Sequence, residues 1–310
     1  MENVPITVLM SVYNEKIEIL EQSIQSIVNQ TFGNFIFLIV LDNPNNTEIK
    51  KYLQEWMDKD KRIQLIVNEK NLGLPMSLNR GIERINTKYI ARMDADDIAL
   101  EDRLEKQFIH MSQNPQIDLL GTNVIYMDSN GKTLRKRGNI PCEVKVIKQV
   151  MKYANVFNHP TFIGKTEVFK KLKYRNLKYS QDYDFTCRLL ELGYIAENLN
   201  TPYLYYRVND GVKIEKVLLQ KIIKNYIQKM YRRKCLNLDL DEARILDIRN
   251  NVNIKNFEND YKAWKIFLGL ERKIGTKLIK TAIKVLLSPF YREELFDLTL
   301  FYLMKRKYKF

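Results

Sequence analysis

Cysteine is scarce in this chain of 310 residues, and the three present, Cys142, Cys187 and Cys235, are far apart and odd in number. They form neither a disulfide framework nor a metal-ligand spacing, and read as reduced thiols of a cytosolic protein. No run of about 18 apolar residues occurs, so no transmembrane helix is expected. The N-terminus has no basic stretch ahead of an apolar core, so no signal peptide is expected. Glycine and proline are few, at 11 and 8, and no repeat or low-complexity segment breaks the sequence. What remains, 45% hydrophobic and 28% charged residues, is the composition of an ordinary soluble protein. It is long enough for one large domain with an appendage, or for two.

Positive charge is plentiful but unevenly placed. The chain has 51 Lys and Arg against 37 Asp and Glu, a net +14. Residues 1–210 hold 28 basic and 26 acidic side chains, whereas residues 211–310 hold 23 and 11. A nearly neutral body therefore carries a basic region of the kind that seeks phosphates, on nucleic acid or on an anionic membrane leaflet.

Apolar runs at residues 6–12, 35–41, 63–67 and 88–93 read as buried strands. Between them, residues 17–29, 47–57 (with Thr47 as cap) and 75–85 have helical spacing. Strands that are apolar throughout, alternating with helices, imply an α/β fold with a mainly parallel sheet covered on both faces. Ligands bind at the carboxyl ends of such strands. Ser11, Tyr13, Asn14, Asp42 and the group Asp94–Asp97 lie there. Beyond Asp97 the alternation gives way to an α+β pattern. Residues 101–113, 143–153 and 182–192 read as helices, and residues 161–163 and 202–207 as strands. Residues 119–127 and 132–134 form a hairpin around Asn130-Gly131. We expect one domain over residues 1–212, made of halves 1–97 and 98–212, and a helical basic region over 213–310.

The most informative stretch is Tyr89-Ile90-Ala91-Arg92-Met93-Asp94-Ala95-Asp96-Asp97. Strand alternation puts Asp94 and Asp96 on one side of the backbone, about 7 Å apart. Like charges held that close repel unless a cation sits between them. Hard divalent ions commonly reach a protein through one or two carboxylates plus a substrate's phosphates. The alternative is a solvated acidic turn with Asp97 capping the next helix.

Several landmarks occur in order. They are Ser11-Val12-Tyr13-Asn14-Glu15, Gln30-Thr31-Phe32, the strand ending at Asp42, Asn71-Leu72-Gly73-Leu74 running into Ser77-Leu78-Asn79-Arg80-Gly81, the Asp94–Asp97 group, His159-Pro160-Thr161, and Gln181-Asp182-Tyr183-Asp184-Phe185. Together they resemble glycosyltransferase family 2 over residues 4–210. The resemblance implies a Rossmann-like GT-A fold and an inverting sugar transfer from a nucleotide-diphosphate sugar, UDP-linked by preference. It implies that Asp42 bonds the nucleobase, with Ser11 and Tyr13 lining its pocket. The loop Asn71–Arg80 lies beside base and diphosphate. Arg80 either contacts phosphate or is merely solvated. Asp96 sits on Mn²⁺ or Mg²⁺, and Asp94 on ribose or metal. His159 lies near the diphosphate as a metal ligand, or is a buried structural histidine. Asp182 matches the general base that deprotonates the acceptor hydroxyl; as the opening residue of a helix it is also a natural cap, and the macrodipole favours its ionised form. Asp184 is of the same type, and motif alignment prefers Asp182.

Three departures qualify the resemblance. The usual aspartate pair is Leu41-Asp42 here. The usual Glu-Asp is Gln181-Asp182. No Q-x-x-R-W stretch follows Asp182, which argues for one sugar per encounter. The implied acceptor is a saccharide, lipid-linked in surface-glycan synthesis. In residues 276–287, Lys277, Lys280 and Lys284 share a helical face beside leucines and isoleucines. Residues 276–310 then either lie on an anionic membrane surface or pack as a helical subdomain or oligomer contact. The protein is expected in the cytoplasm, peripheral to the inner membrane face. Two rivals remain. A nucleotidyltransferase would show a Gly-rich basic loop after the first strand, where Tyr13-Asn14-Glu15 stands. A nucleic-acid-binding protein would show a recognition signature in the basic region, and none is evident.

Overall fold

The computed structural model describes residues 4–208, 214–236, 304 and 306–308. The basic segment expected to meet a membrane therefore lies almost wholly outside the described residues. Contacts divide the chain into two units, one of residues 1–148 and 156–210, the other of 149–155 and 211–310.

The first unit begins with β1 (Ile6–Val12), α1 (Ile17–Val28), β2 (Phe35–Leu41), α2 (Thr47–Lys59), β3 (Ile63–Val67), α3 (Leu74–Arg84) and β4 (Tyr89–Asp94). Then follow β5 (Ile98–Ala99), α4 (Arg103–Gln113), β6 (Leu119–Met127), β7 (Thr133–Lys136) and α5 (Val144–Val150), whose last two residues belong to the second unit. A 3-10 turn (His159–Thr161), β8 (Ile163–Lys165), α6 (Thr166–Leu172), α7 (Gln181–Glu191) and β9 (Ala196–Arg207) complete it. One sheet runs β3-β2-β1-β4-β8-β6-β9-β5, with β7 on β6. Its first half, β3-β2-β1-β4, is parallel throughout. The second half is joined to it through the antiparallel β4–β8 and β8–β6 pairs, while β6 and β9 run parallel.

The apolar strands bury both faces. Val8, Met10, Phe37, Ile39, Ala91 and Met93 pack in one core cluster with Leu20, Ile24 and Ile27 of α1. On α3, Gly81 is a packing requirement. A Cβ there would lie 2.4 Å from Leu9 Cδ1 and 3.2 Å from Val40 Cγ2, so only glycine lets α3 sit this close to β1 and β2.

Several expected boundaries shift for local reasons. The cap of α2 is Asn46, not Thr47: Asn46 Oδ1 accepts from the Ile49 amide at 3.0 Å. Asp97 caps no helix, because β5 follows it and α4 starts only at Arg103. The strand expected at 161–163 begins two residues later, as β8 (Ile163–Lys165), because residues 159–161 form a 3-10 turn in which Pro160 fixes φ near helical values and cannot donate to a ladder. β9 starts at Ala196, earlier than residue 202, with Pro202 at a register shift against Asn123, where a missing N–H is tolerated. The short β5 and the helix α6 had no sequence signal long enough to find.

In the second unit, α8 (Ile214–Arg232) meets residues 149–155. Gln228 Nε2 donates to the Tyr153 carbonyl at 2.6 Å and Arg232 Nε to the Lys152 carbonyl at 2.8 Å. No helix among the described residues is long and apolar enough to cross a membrane.

Replacing Asn46 by alanine should cost about 1 kcal/mol through the lost cap, whereas Thr47→Ala should cost a few tenths. Unfolding midpoints in urea check this; equal losses would return the cap to Thr47.

Candidate active site

Strand register builds the first row of the site. Ser11 of β1 pairs with Val40 on one side and Asp94 on the other. Asp42 follows β2 directly, its amide donating to the Val12 carbonyl at 2.7 Å. Neighbouring strands are about 4.8 Å apart, so Ser11, Asp42 and Asp94 end on one edge of the sheet. Tyr13, 45% exposed, stands on the same edge.

Asp42 is buried and already engaged. Its Oδ1 accepts from Asn68 Nδ2 at 2.7 Å and from the Leu72 amide at 2.8 Å, and its Oδ2 from the Gly73 amide at 2.8 Å. Gly73 has φ 79°, a region open to glycine, and that conformation turns its amide onto Asp42. Asn71 Oδ1 shares the same amide at 3.0 Å. Arg80 Nη1 donates to Asn68 Oδ1 at 3.0 Å. The Asp42 carboxylate is thus the anchor of the loop 68–73, with Arg80 one hydrogen bond further out. Beside it, Asn14 Oδ1 accepts from Asn43 Nδ2 at 2.7 Å and Asn46 Nδ2 at 3.2 Å. This rim is lined by amides.

The carboxyl end of β4 gathers negative charge. Burial, then the neighbouring charges of Asp94 and Glu15, push the Asp96 carboxyl up to about 6. Burial also raises Glu15, although the Tyr13 amide donates to its Oε2 at 2.7 Å. Asp97 is 1% exposed, and burial with Asp94 and Asp96 raises it well above the usual carboxylate range. Its Oδ1 accepts from the Arg207 amide at 2.8 Å, while its Oδ2 has no hydrogen-bond partner. Two buried arginines lie close by. Arg92 pairs with Asp94 Oδ1, and Arg103 Nη2 donates to the Arg92 carbonyl at 2.7 Å. Ser23 of α1 fixes the Asp94 carbonyl at 2.9 Å.

Asp182 is the second residue of α7 and is partly exposed. Asp184, two residues on, is fully buried between Arg188 Nε at 2.8 Å and Arg175 Nη1 at 3.2 Å. Arg188 also donates to the Leu172 and Lys173 carbonyls at 2.8 and 2.7 Å. Asp184 therefore braces the segment ahead of α7, and Asp182 is the carboxylate of the pair with solvent access. Burial first, then Asp94, Asp97, Asp182 and Asp96, holds the Tyr206 phenol far above its usual range.

His159 is enclosed. Its Nε2 shares a hydrogen bond of 2.8 Å with the Tyr174 hydroxyl, and edge contacts to Phe162 and Tyr174 flank the ring at 5.2 and 5.3 Å. Burial, then the charge of Arg92, keeps it neutral, well below the usual imidazole range. That nitrogen is committed within the protein rather than offered to a cation, because the Tyr174 phenol occupies its lone pair or its proton. Among the described residues no three His, Cys, Asp or Glu side chains converge as a ready metal cage. Tyr174 is itself held at both backbone groups by the Asn79 amide, at 2.7 and 2.8 Å. Arg92 was legible as a neighbour of Asp94, two residues away on the same strand face. Glu15 stands in the Tyr13-Asn14-Glu15 motif but shows no role by spacing. Arg207 and Tyr174 carry no sequence signal at all.

A parallel half-sheet ending in an aspartate loop, continued by a mixed half that presents a carboxylate at a helix head, is the layout of a GT-A glycosyltransferase. The crystal structure of S. aureus TarS 1-349 in complex with UDP-GlcNAc shares this fold, with TM-score 0.58, 15% identity, and coverage of 98% of this chain and 91% of that one. The profile of glycosyl transferase family 2 matches residues 7–173, and the chain belongs to that family. It is 38% identical over 269 residues to an uncharacterized glycosyltransferase of Methanocaldococcus jannaschii, covering 86% of each chain. It is 34% identical over 230 residues to the amylovoran biosynthesis glycosyltransferase AmsE of Erwinia amylovora, covering 74% of this chain and 85% of that one. A similar match, 34% over 211 residues with 66% and 80% coverage, is the O-antigen biosynthesis glycosyltransferase WbnJ of Escherichia coli. The protein is a glycosyltransferase, which removes the nucleotidyltransferase and nucleic-acid-binding alternatives as its primary role.

The raised Asp96 acid has a thermodynamic consequence. Its folded pKa, about 6, lies above the usual value of 3.8. Its contribution to stability is therefore full below about pH 4 and lost as pH rises through about 6. Without divalent metal, Asp96→Asn should stabilise the protein at pH 8 by about 1–3 kcal/mol and have little effect at pH 4. Melting curves in EDTA at both pH values test this; equal melting temperatures at pH 8 would contradict the crowding of charge at this loop.

Proposed function

We propose that the protein is an inverting, metal-dependent glycosyltransferase that moves a single sugar from a UDP-sugar to a lipid-linked saccharide in surface-polysaccharide biosynthesis. What supports this reading is family membership over residues 7–173 together with the acidic end of β4, where Asp94 stands in register with Ser11 and burial with neighbouring charge raises Asp96, and the partly exposed Asp182 at the head of α7. Oxygen donors at Asp94 and Asp96 suit a hard cation such as Mn²⁺ or Mg²⁺ held by carboxylates and phosphates together. The raised acid of Asp96 fits as well, because crowded carboxylates gain from a shared dication. Bound there, the ion would neutralise charge developing on a departing nucleoside diphosphate.

Each residue then has a defined task. Tyr13 offers a ring face to the base, a contact worth about 1–3 kcal/mol, and Ser11 lines the same edge. Asp42 reaches the base while holding Asn71–Gly73 in place, and Arg80 extends that network toward the diphosphate. Asp182 accepts the proton of the acceptor hydroxyl as its oxygen bonds the anomeric carbon, and the diphosphate leaves from the opposite face. His159, neutral and tied to Tyr174, shapes the floor of the diphosphate side. The biosynthetic setting is supported by the names of AmsE and WbnJ, and the UDP-sugar by the ligand in the TarS structure.

Asp96→Ala should abolish metal-supported transfer, and Asp182→Asn should lower turnover by about 10²–10⁴-fold while UDP-sugar binding persists. Transfer assays paired with thermal shifts by UDP, GDP and CDP, with Mn²⁺ and with EDTA, decide the matter. Normal turnover in either variant removes that residue's role, and a shift with another base replaces UDP. The basic region 276–310 supports placement on an anionic surface. Replacing Lys277, Lys280 and Lys284 together by glutamate should release the protein from anionic vesicles in a flotation assay. Unchanged flotation returns those lysines to plain solvation.

A further inference from the structure

Arg207, the last residue of β9, is only 4% exposed, yet among the described residues its guanidinium makes no ion pair with a carboxylate, although Asp96 and Asp97 are its neighbours. Its guanidinium donates instead to oxygens that carry no formal charge. Nε reaches the backbone carbonyl of Asp96 at 2.7 Å. Nη1 reaches the carbonyls of Ser129 at 3.0 Å and Asp128 at 3.3 Å, at the tip of the β6–β7 hairpin. Nη2 reaches Gln22 Oε1 on α1 at 2.9 Å. Its own amide holds Asp97 Oδ1 at 2.8 Å.

Burying a guanidinium without an ion pair is expensive, and the planar fork of arginine is suited to tying several acceptors at once. Here it joins α1, the hairpin tip and the acidic loop, elements that are distant in sequence. The Asp96 contact is the telling one. A direct ion pair would have occupied the carboxylate oxygens, as Arg92 does for Asp94 Oδ1. By binding the carbonyl, Arg207 fixes the loop backbone, lends it positive charge, and leaves the Asp96 carboxylate open.

We infer that Arg207 is the positioning residue of this loop: it sets the backbone at Asp96 and Asp97 so that the Asp96 carboxylate, together with Asp94, meets a divalent cation, and cation affinity depends on it. The inference rests on the metal-dependent reading above. It assigns Arg207 no contact with cation, donor or acceptor. Partners that orient ligands in this way typically change metal affinity by about 10–100-fold when removed.

The test is titration of the free Mn²⁺ signal by electron paramagnetic resonance with the full chain, as wild type, Arg207→Lys and Gln22→Ala. Circular dichroism melts in EDTA report folding separately. Lysine keeps the charge but can replace only one branch of the fork, so Arg207→Lys should bind Mn²⁺ about 10-fold or more weakly while folded. Gln22 is exposed, so its variant should fold, and loss of one anchor should weaken Mn²⁺ by a smaller factor. A folded Arg207→Lys with Mn²⁺ affinity within about twofold of wild type overturns the inference, whatever its melting temperature, because a purely structural arginine would move stability alone. If Arg207→Lys does not fold, unchanged affinity in Gln22→Ala overturns it. Absence of Mn²⁺ binding by the wild type, with and without UDP, sinks the metal-dependent reading itself, and this inference with it.

Discussion

Four carboxylates, Asp94, Asp96 and Asp97 at the carboxyl end of β4 and Glu15 just after β1, crowd together where water screens them only in part. Desolvation is the leading cause of the raised acids of Glu15, Asp96 and Asp97, with mutual repulsion adding to it. A fold that concentrates charge in this way must supply compensation, and much of the surrounding structure does so. Arg92 takes one oxygen of Asp94. Arg103 braces Arg92 through its carbonyl. Arg207 secures the loop through backbone groups. The compensation is incomplete, since Asp97 Oδ2 has no partner and Asp96 stays raised. That residual unfavourable charge is what the proposed divalent cation would relieve on binding.

The other half of the site is governed by the opposite concern, satisfaction rather than tension. Asp184 is neutralised by two arginines, and Arg188 uses its remaining donors on the carbonyls of Leu172 and Lys173. Lys173 and Ser180 both hold positive φ, which costs a non-glycine residue energy. That segment keeps its shape because Asn79 grips Tyr174 at both backbone groups and Arg188 holds its start. Asp182 inherits its position from this frame. The same reasoning separates two aspartates that look alike in sequence: one is spent on structure and one keeps access to solvent.

The parallel half was readable because its signals are local. β1 and β2 are apolar runs bounded by turn residues, and burial on both faces demands that composition, while the edge strand β3 is only partly buried. Helix boundaries were less legible. Asn46 and Thr47 are both good caps by type, and only backbone geometry chose Asn46. β9 hid because its residues are half polar and because Pro202 reads as a strand start, when in fact it sits at a register shift. His159 had two readings in sequence, ligand or structural residue, and its Tyr174 partner is 15 positions away with no periodic relation to it.

By itself the sequence determined the fold class, the family and the residue types that meet at the strand ends, because hydrophobic period and motif order are properties of neighbouring residues. Tertiary structure alone decided how those residues are used. It turned Asp42 into a loop anchor, Asp184 into a brace, His159 into a partner of Tyr174, and Arg207 into a clamp on the acidic loop. The reason is physical. Whether a carboxylate is a ligand, a base or a strut depends on its burial and its partners, and these come from segments that are far apart until the sheet brings them together.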